Sequence, residues 1–134
     1  MKTEIRYIEL KTGYSDDGPA WICKVKLSKS GQTIYFNDKA FRKGLSTFGN
    51  YYDVETKEDY WISRVKKDDT DRHWAGHGKI FLDKNIVQEY LDLIGLSSVD
   101  NNRYELVDIP EIYPVERINK LENHTLQGVL PAKI

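Results

Sequence analysis

Between residues 20 and 28 the chain reads Ala-Trp-Ile-Cys-Lys-Val-Lys-Leu-Ser, and this alternation limits what it can fold into more than any other feature. Trp21, Cys23, Val25 and Leu27 fall on one side of an extended strand and Lys24, Lys26 and Ser28 on the other, because successive strand side chains point to opposite faces. A strand with one apolar face must be covered, so the chain has to build a sheet. Its neighbours supply the partners. Residues 3–10 read as a strand, and Gly13, Asp16, Asp17 and Gly18 provide turn chemistry before the next one. Lys29-Ser30-Gly31-Gln32 makes a tight turn into a strand at 33–36, with Gly31 taking the positive φ that such a hairpin demands. Residues 37–49 are less regular and read as a loop or a short irregular strand. Residues 51–55 and 58–66 pair across Thr56-Lys57, and 79–82 form a sixth short strand.

A helix follows. Asp83 is a suitable N-cap for residues 84–94, where Ile86, Val87, Tyr90, Leu91 and Ile94 form one apolar stripe and Gly95 occupies the C′ position. After a polar break at 97–102, residues 103–109 read as another strand. Pro114 opens a short helix holding Val115, Ile118 and Leu121 on one face, and the tail from Asn123 looks weakly ordered. The expected fold is α+β: a small, mainly antiparallel β-barrel or sandwich of about six or seven short strands, with one flanking helix and a C-terminal extension. A length of 134 residues fits one domain, with residues 1–95 as the β-rich core plus helix and 96–134 packed on it. Trp21, Val25, Ile34, Phe36, Ile62, Ile86, Tyr90 and Leu91 are expected to share one core.

Composition narrows the setting. A 40% hydrophobic and 31% charged chain can bury enough apolar surface to fold. The N-terminus lacks the apolar run of a signal peptide, and no window approaches the roughly 18 apolar residues of a membrane span, so no membrane partner is expected. The single cysteine, Cys23, fits a reducing compartment, which makes the cytoplasm the expected location. The net charge of −1 provides no global basic field for nucleic acid.

Three ordered motifs stand out: Tyr7-Ile8-Glu9-Leu10-Lys11-Thr12-Gly13-Tyr14-Ser15-Asp16-Asp17-Gly18-Pro19-Ala20-Trp21-Ile22, then Ser28-Lys29-Ser30-Gly31-Gln32-Thr33-Ile34-Tyr35-Phe36, then Gly49-Asn50-Tyr51-Tyr52-Asp53-Val54-Glu55-Thr56 with Tyr60-Trp61-Ile62-Ser63 and Asp71-Arg72-His73-Trp74. Together they resemble a family of small uncharacterised bacterial proteins over residues 4–92. The resemblance implies no established activity and no catalytic residues. Proteins of this likeness sometimes carry the label of a deoxyxylulose-phosphate synthase, a large thiamine-diphosphate enzyme. This chain is too short for that cofactor's two domains and shows no Gly-Asp-Gly diphosphate motif.

The densest polar and aromatic cluster runs from Tyr60 to Lys79, and it supplies the candidate binding residues: Tyr60, Arg64, Lys66, Lys67, Arg72, His73, Trp74, His77 and Lys79. Cations interleaved with aromatics suit a protein surface or the stacked bases of a nucleic acid, and the near-neutral charge favours the protein partner. A long hairpin with a solvated charged tip is the plain alternative. His73 and His77 have the wrong setting for zinc, since Gly76 and Gly78 oppose a helix and a third fixed ligand is missing, so no metal or other cofactor is expected. Asp53, Glu55, Glu58 and Asp59 read as a solvated acidic tip, and Cys23 as a small core residue rather than a nucleophile. The leading expectation is a non-catalytic binding domain. The runner-up is a small hydrolase or transferase using the Asp71-Arg72-His73 loop.

Overall fold

The computed structural model describes residues 1–11, 18–44, 48–66 and 78–129, with side chains as far as Glu122. Its strands are β1 (Lys2–Leu10), β2 (Ala20–Leu27), β3 (Thr33–Phe36), β4 (Lys39–Lys43), β5 (Tyr51–Asp53), β6 (Asp59–Arg64), β7 (Ile80–Asp83) and β8 (Tyr104–Val107). The helices are α1 (Val87–Ile94), entered through a 3₁₀ turn at Lys84–Ile86, and α2 (Val115–Val129). Strands β1, β6, β5, β4, β3 and β2 follow one another around a sheet that closes when β1 pairs with β2. Every pairing inside this six-stranded barrel is antiparallel. Closure satisfies the edges that an open sheet would expose.

β2 shares one edge between two neighbours. Its second half pairs with β3 (Lys26↔Tyr35, Leu27↔Ile34), while its first half pairs in parallel with β7 (Trp21↔Phe81, Ile22↔Leu82), and β8 extends the sheet beyond β7. In the gap where β3 and β7 part, the Tyr113 hydroxyl donates to the Lys24 carbonyl at 3.2 Å, and Lys26 lies 5.2 Å from the Tyr113 ring centre. A buried carbonyl without a strand partner needs such a donor.

Residues 37–49, read from the sequence as irregular, contain a true strand. Phe36 pairs with Lys39 across a two-residue turn in which Asn37 and Asp38 have φ of 47° and 63°. Hairpin turns with two positive φ values match the twist of the flanking strands, and Asn and Asp tolerate that region best after glycine. β4 hides itself in sequence because both faces are covered: Phe41 points into the barrel and Ala40 packs beneath α2.

The expected single core is three. Val25, Ile34, Phe36, Ile62 and half-buried Trp21 fill the barrel with Phe41 and Tyr60. Ile86 and Tyr90 instead pack with Tyr7, Ile22, Leu82 and Tyr104 on the outer side of β1, β2 and β7. Leu91 is buried on α1 but belongs to none of these clusters. A third set, Tyr35, Ala40 and Ile118, lies under α2. The helix stripe covers part of the outside of the sheet, where Tyr7 of β1 and Ala20 and Ile22 of β2 are buried, and the two cores are separated by the thickness of that sheet.

Capping follows the sequence closely. Asp83 Oδ1 accepts from the Asn85 backbone at 3.1 Å and its side-chain amide at 2.9 Å, and Gly95 ends α1 with φ 75° and its N–H on the Leu91 carbonyl. Two helices flank the barrel rather than one, and α2 continues past Asn123 to Val129. No helix among the described residues is long and apolar enough to cross a membrane.

Candidate functional site

The cluster from Tyr60 to Lys79 divides. Tyr60 faces the barrel interior with its ring 4.5 Å from that of Phe41, and its 3% exposure places it in the core rather than on a surface. Ile62 joins it inside, while Trp61 points out and is 42% exposed. Arg64 ends β6, where the strand leaves the barrel, and is exposed together with Lys66 and Lys79. Lys67, Arg72, His73, Trp74 and His77 lie outside the described residues, as does Asp71 of the alternative catalytic loop. Among the described residues, no three His, Cys, Asp or Glu side chains are grouped to hold a metal ion.

Arg64 borders a groove of about 850 Å³ between α1, the first half of β1 and Lys24 of β2. Its apolar lining is Ile5, Val65 and Leu93, the last 48% exposed. The α1 side carries Asp92, which accepts from Gln88 at 2.8 Å, and Glu89, which holds Lys24 at 3.1 Å and so ties the helix to β2. Across from it, Glu4 accepts from Arg6 at 2.8 Å, and that bond is the main reason its carboxyl sits below the usual range. An apolar strip between rims of mixed charge is the arrangement that interfaces favour, with water excluded at the centre and polar contacts at the edge. The sequence reading missed this groove. Its signal was Leu93, a leucine off the buried stripe of α1.

A second cavity of about 660 Å³ lies between β4, β5 and α2. Arg42 Nη2 crosses it to Glu122 Oε1 at 2.6 Å, while its buried Nε has no hydrogen-bond partner among the described residues. In the acidic hairpin Glu55 and Glu58 are exposed as expected, and Asp53 is the exception. Asp53 is buried, and its Oδ1 accepts from the Glu55 and Thr56 amides at 2.8 and 3.2 Å, which fixes the β5–β6 turn. Glu9 is buried too, bonded to the Tyr7 hydroxyl at 2.5 Å and Lys11 Nζ at 3.0 Å. Cys23 sits in the barrel wall facing inward, where burial pushes its thiol well above the ordinary value.

Burial also pushes the Tyr60 and Tyr113 hydroxyls up to about 12 from an ordinary 10. The folded state thus prefers neutral phenols; this stabilisation is complete below pH 10 and is lost as pH climbs from 10 to 12, because the unfolded chain ionises first. The urea midpoint is expected to fall across that window, and to fall less steeply in Tyr60→Phe. An unchanged slope in the variant would remove Tyr60 from this account.

In architecture the molecule is a six-stranded antiparallel barrel with two extra strands, two outer helices and a groove of peptide size along the first helix. No protein-family model, curated protein or solved structure matches the chain. The likeness to small bacterial proteins therefore rests on the three motifs alone.

Proposed function

We propose that this is a non-catalytic interaction domain that seats a segment of a partner protein in the groove beside α1. The observation that carries the reading is the exposed Leu93, level with Ile5 and Val65 and bounded by Arg64 on β6 and Asp92 on α1. An exposed apolar side chain in a concave, charge-rimmed setting marks a contact surface more strongly than scattered surface leucines do. Glu4, Glu89 and Asp92 outnumber Lys24 and Arg64 around it, which favours a protein over a polyanion.

The test compares capture of host proteins by immobilised wild type, Leu93→Asp and Arg64→Glu, after melting curves confirm that all three are folded. A partner held by wild type and released by Leu93→Asp, with affinity reduced by about tenfold or more, is the expected result. If every captured protein binds both variants as well as wild type, the groove is not the site. Nucleic acid co-eluting through a high 260/280 nm ratio, and lost in Arg64→Glu, would replace the protein reading.

A further inference from the structure

We infer that α2 is a reversible strap, which opens from the barrel at a free-energy cost well below that of unfolding the barrel itself. The inference is independent of the groove beside α1. Between Val115 and Glu122 only Ile118 is fully buried; Val115 is half-buried and Leu121 is 38% exposed. Along these described residues, a helical segment with so little apolar surface beneath it is held mainly by its polar contacts.

Those contacts are charges near solvent. Arg117 Nη1 reaches Asp38 Oδ1 at 2.6 Å, and its Nη2 reaches the Asp38 carbonyl at 2.7 Å and Glu55 Oε1 at 3.0 Å. The Arg117, Asp38 and Glu55 side chains are 43%, 55% and 39% exposed, so water and salt screen them. Further along, α2 closes over Arg42. Glu122 takes only the Nη2 corner of that guanidinium, and Nε is left buried with no acceptor among the described residues. A buried donor without a partner destabilises whichever state buries it. Lifting α2 returns Nε to water, so Arg42 acts as a spring against the strap while Arg117 acts as its clasp.

These roles predict opposite signs for two arginine substitutions. Amide hydrogen exchange is followed at residues 119–122 of α2 and, in the same sample, at Val25 and Ile34 in the barrel. The α2 amides are expected to exchange at least about a hundredfold faster than the barrel pair, and faster again in 1 M salt. Arg117→Ala should speed α2 exchange by about three- to tenfold and leave the barrel amides unchanged. Arg42→Met, which fills the same space without a donor to satisfy and leaves the part-exposed Glu122 carboxylate to water, should slow it.

Exchange of α2 at the barrel rate would show that helix and barrel open only together, and would overturn the strap. Faster α2 exchange in Arg42→Met would make Arg42 a second clasp and overturn the spring. Both variants touch the outer surface of the barrel, and the barrel amides report directly whether either one has simply lost its fold.

Discussion

Phe41→Ala is expected to lower stability by about 3 to 5 kcal/mol, measured by urea denaturation. Phe41 is fully buried at the centre of the barrel, its ring 4.5 Å from Tyr60 and 6.2 Å from Phe36. Removing it deletes the transfer free energy of an aromatic ring and leaves a cavity that closed barrel walls cannot collapse to fill, because each wall strand is fixed by a neighbour on both sides. The aromatic contact with Tyr60 is lost as well. A loss under about 1 kcal/mol would mean that β4 does not face the interior.

Gly49→Ala is expected to cost about 3 kcal/mol or more, and for a different reason. A Cβ at residue 49 would lie 2.8 Å from the Tyr60 carbonyl carbon, and closer still to its oxygen. The obstacle is backbone, which cannot rotate away. Nor can the two segments separate, since Asn50 is bonded to β6 by three contacts: its own N–H to the Tyr60 carbonyl at 3.0 Å, its Nδ2 to the Ile62 carbonyl at 2.8 Å, and its Oδ1 from the Ile62 N–H at 2.9 Å. Asn50 thus continues the β5–β6 ladder with a side chain, and Gly49 is what allows the approach. Thermal melting checks the effect, with Gly44→Ala as a comparison, because its nearest obstacle is the movable Tyr52 ring at 3.1 Å. Equal losses at both glycines would refute the backbone argument.

What the sequence disclosed and what it hid follow from burial. Wherever one face of an element meets solvent, the pattern is readable: β6, with Trp61 outward between Tyr60 and Ile62, and the α1 helix with its Asp83 and Gly95 caps fall where periodicity and cap chemistry put them. β4 escaped because Ala40 and Phe41 are covered on opposite sides, which erases alternation, and because its entry turn is Asn37-Asp38 rather than a pair containing glycine. The division into inner and outer cores was hidden for the same reason. A list of apolar positions does not say which side of a sheet each one serves.

The candidate site shows the same boundary. A basic and aromatic run in sequence is continuous, but the strand that carries it is not uniformly enclosed: Tyr60 and Arg64 share one face of β6, and Tyr60 went to the core while Arg64, at the end where the strand leaves the barrel, went to the rim of a groove. The other side of that groove, Glu89, Asp92 and Leu93, comes from a helix some 25 residues further on, and no local spacing could have brought them together. Asp53 was misplaced by composition: four carboxylates near a turn look solvated, whereas one of them had become the acceptor that shapes it.

The gap left where β3 and β7 part from β2 gives one loop residue an unusual office. The barrel wall is there completed by a phenol instead of a strand, and burial first, then the nearby Glu111 and Cys23, hold that phenol neutral. Tyr113 thereby pins the stretch just ahead of α2 to the middle of β2, so that the start of that helix is positioned by the barrel wall itself.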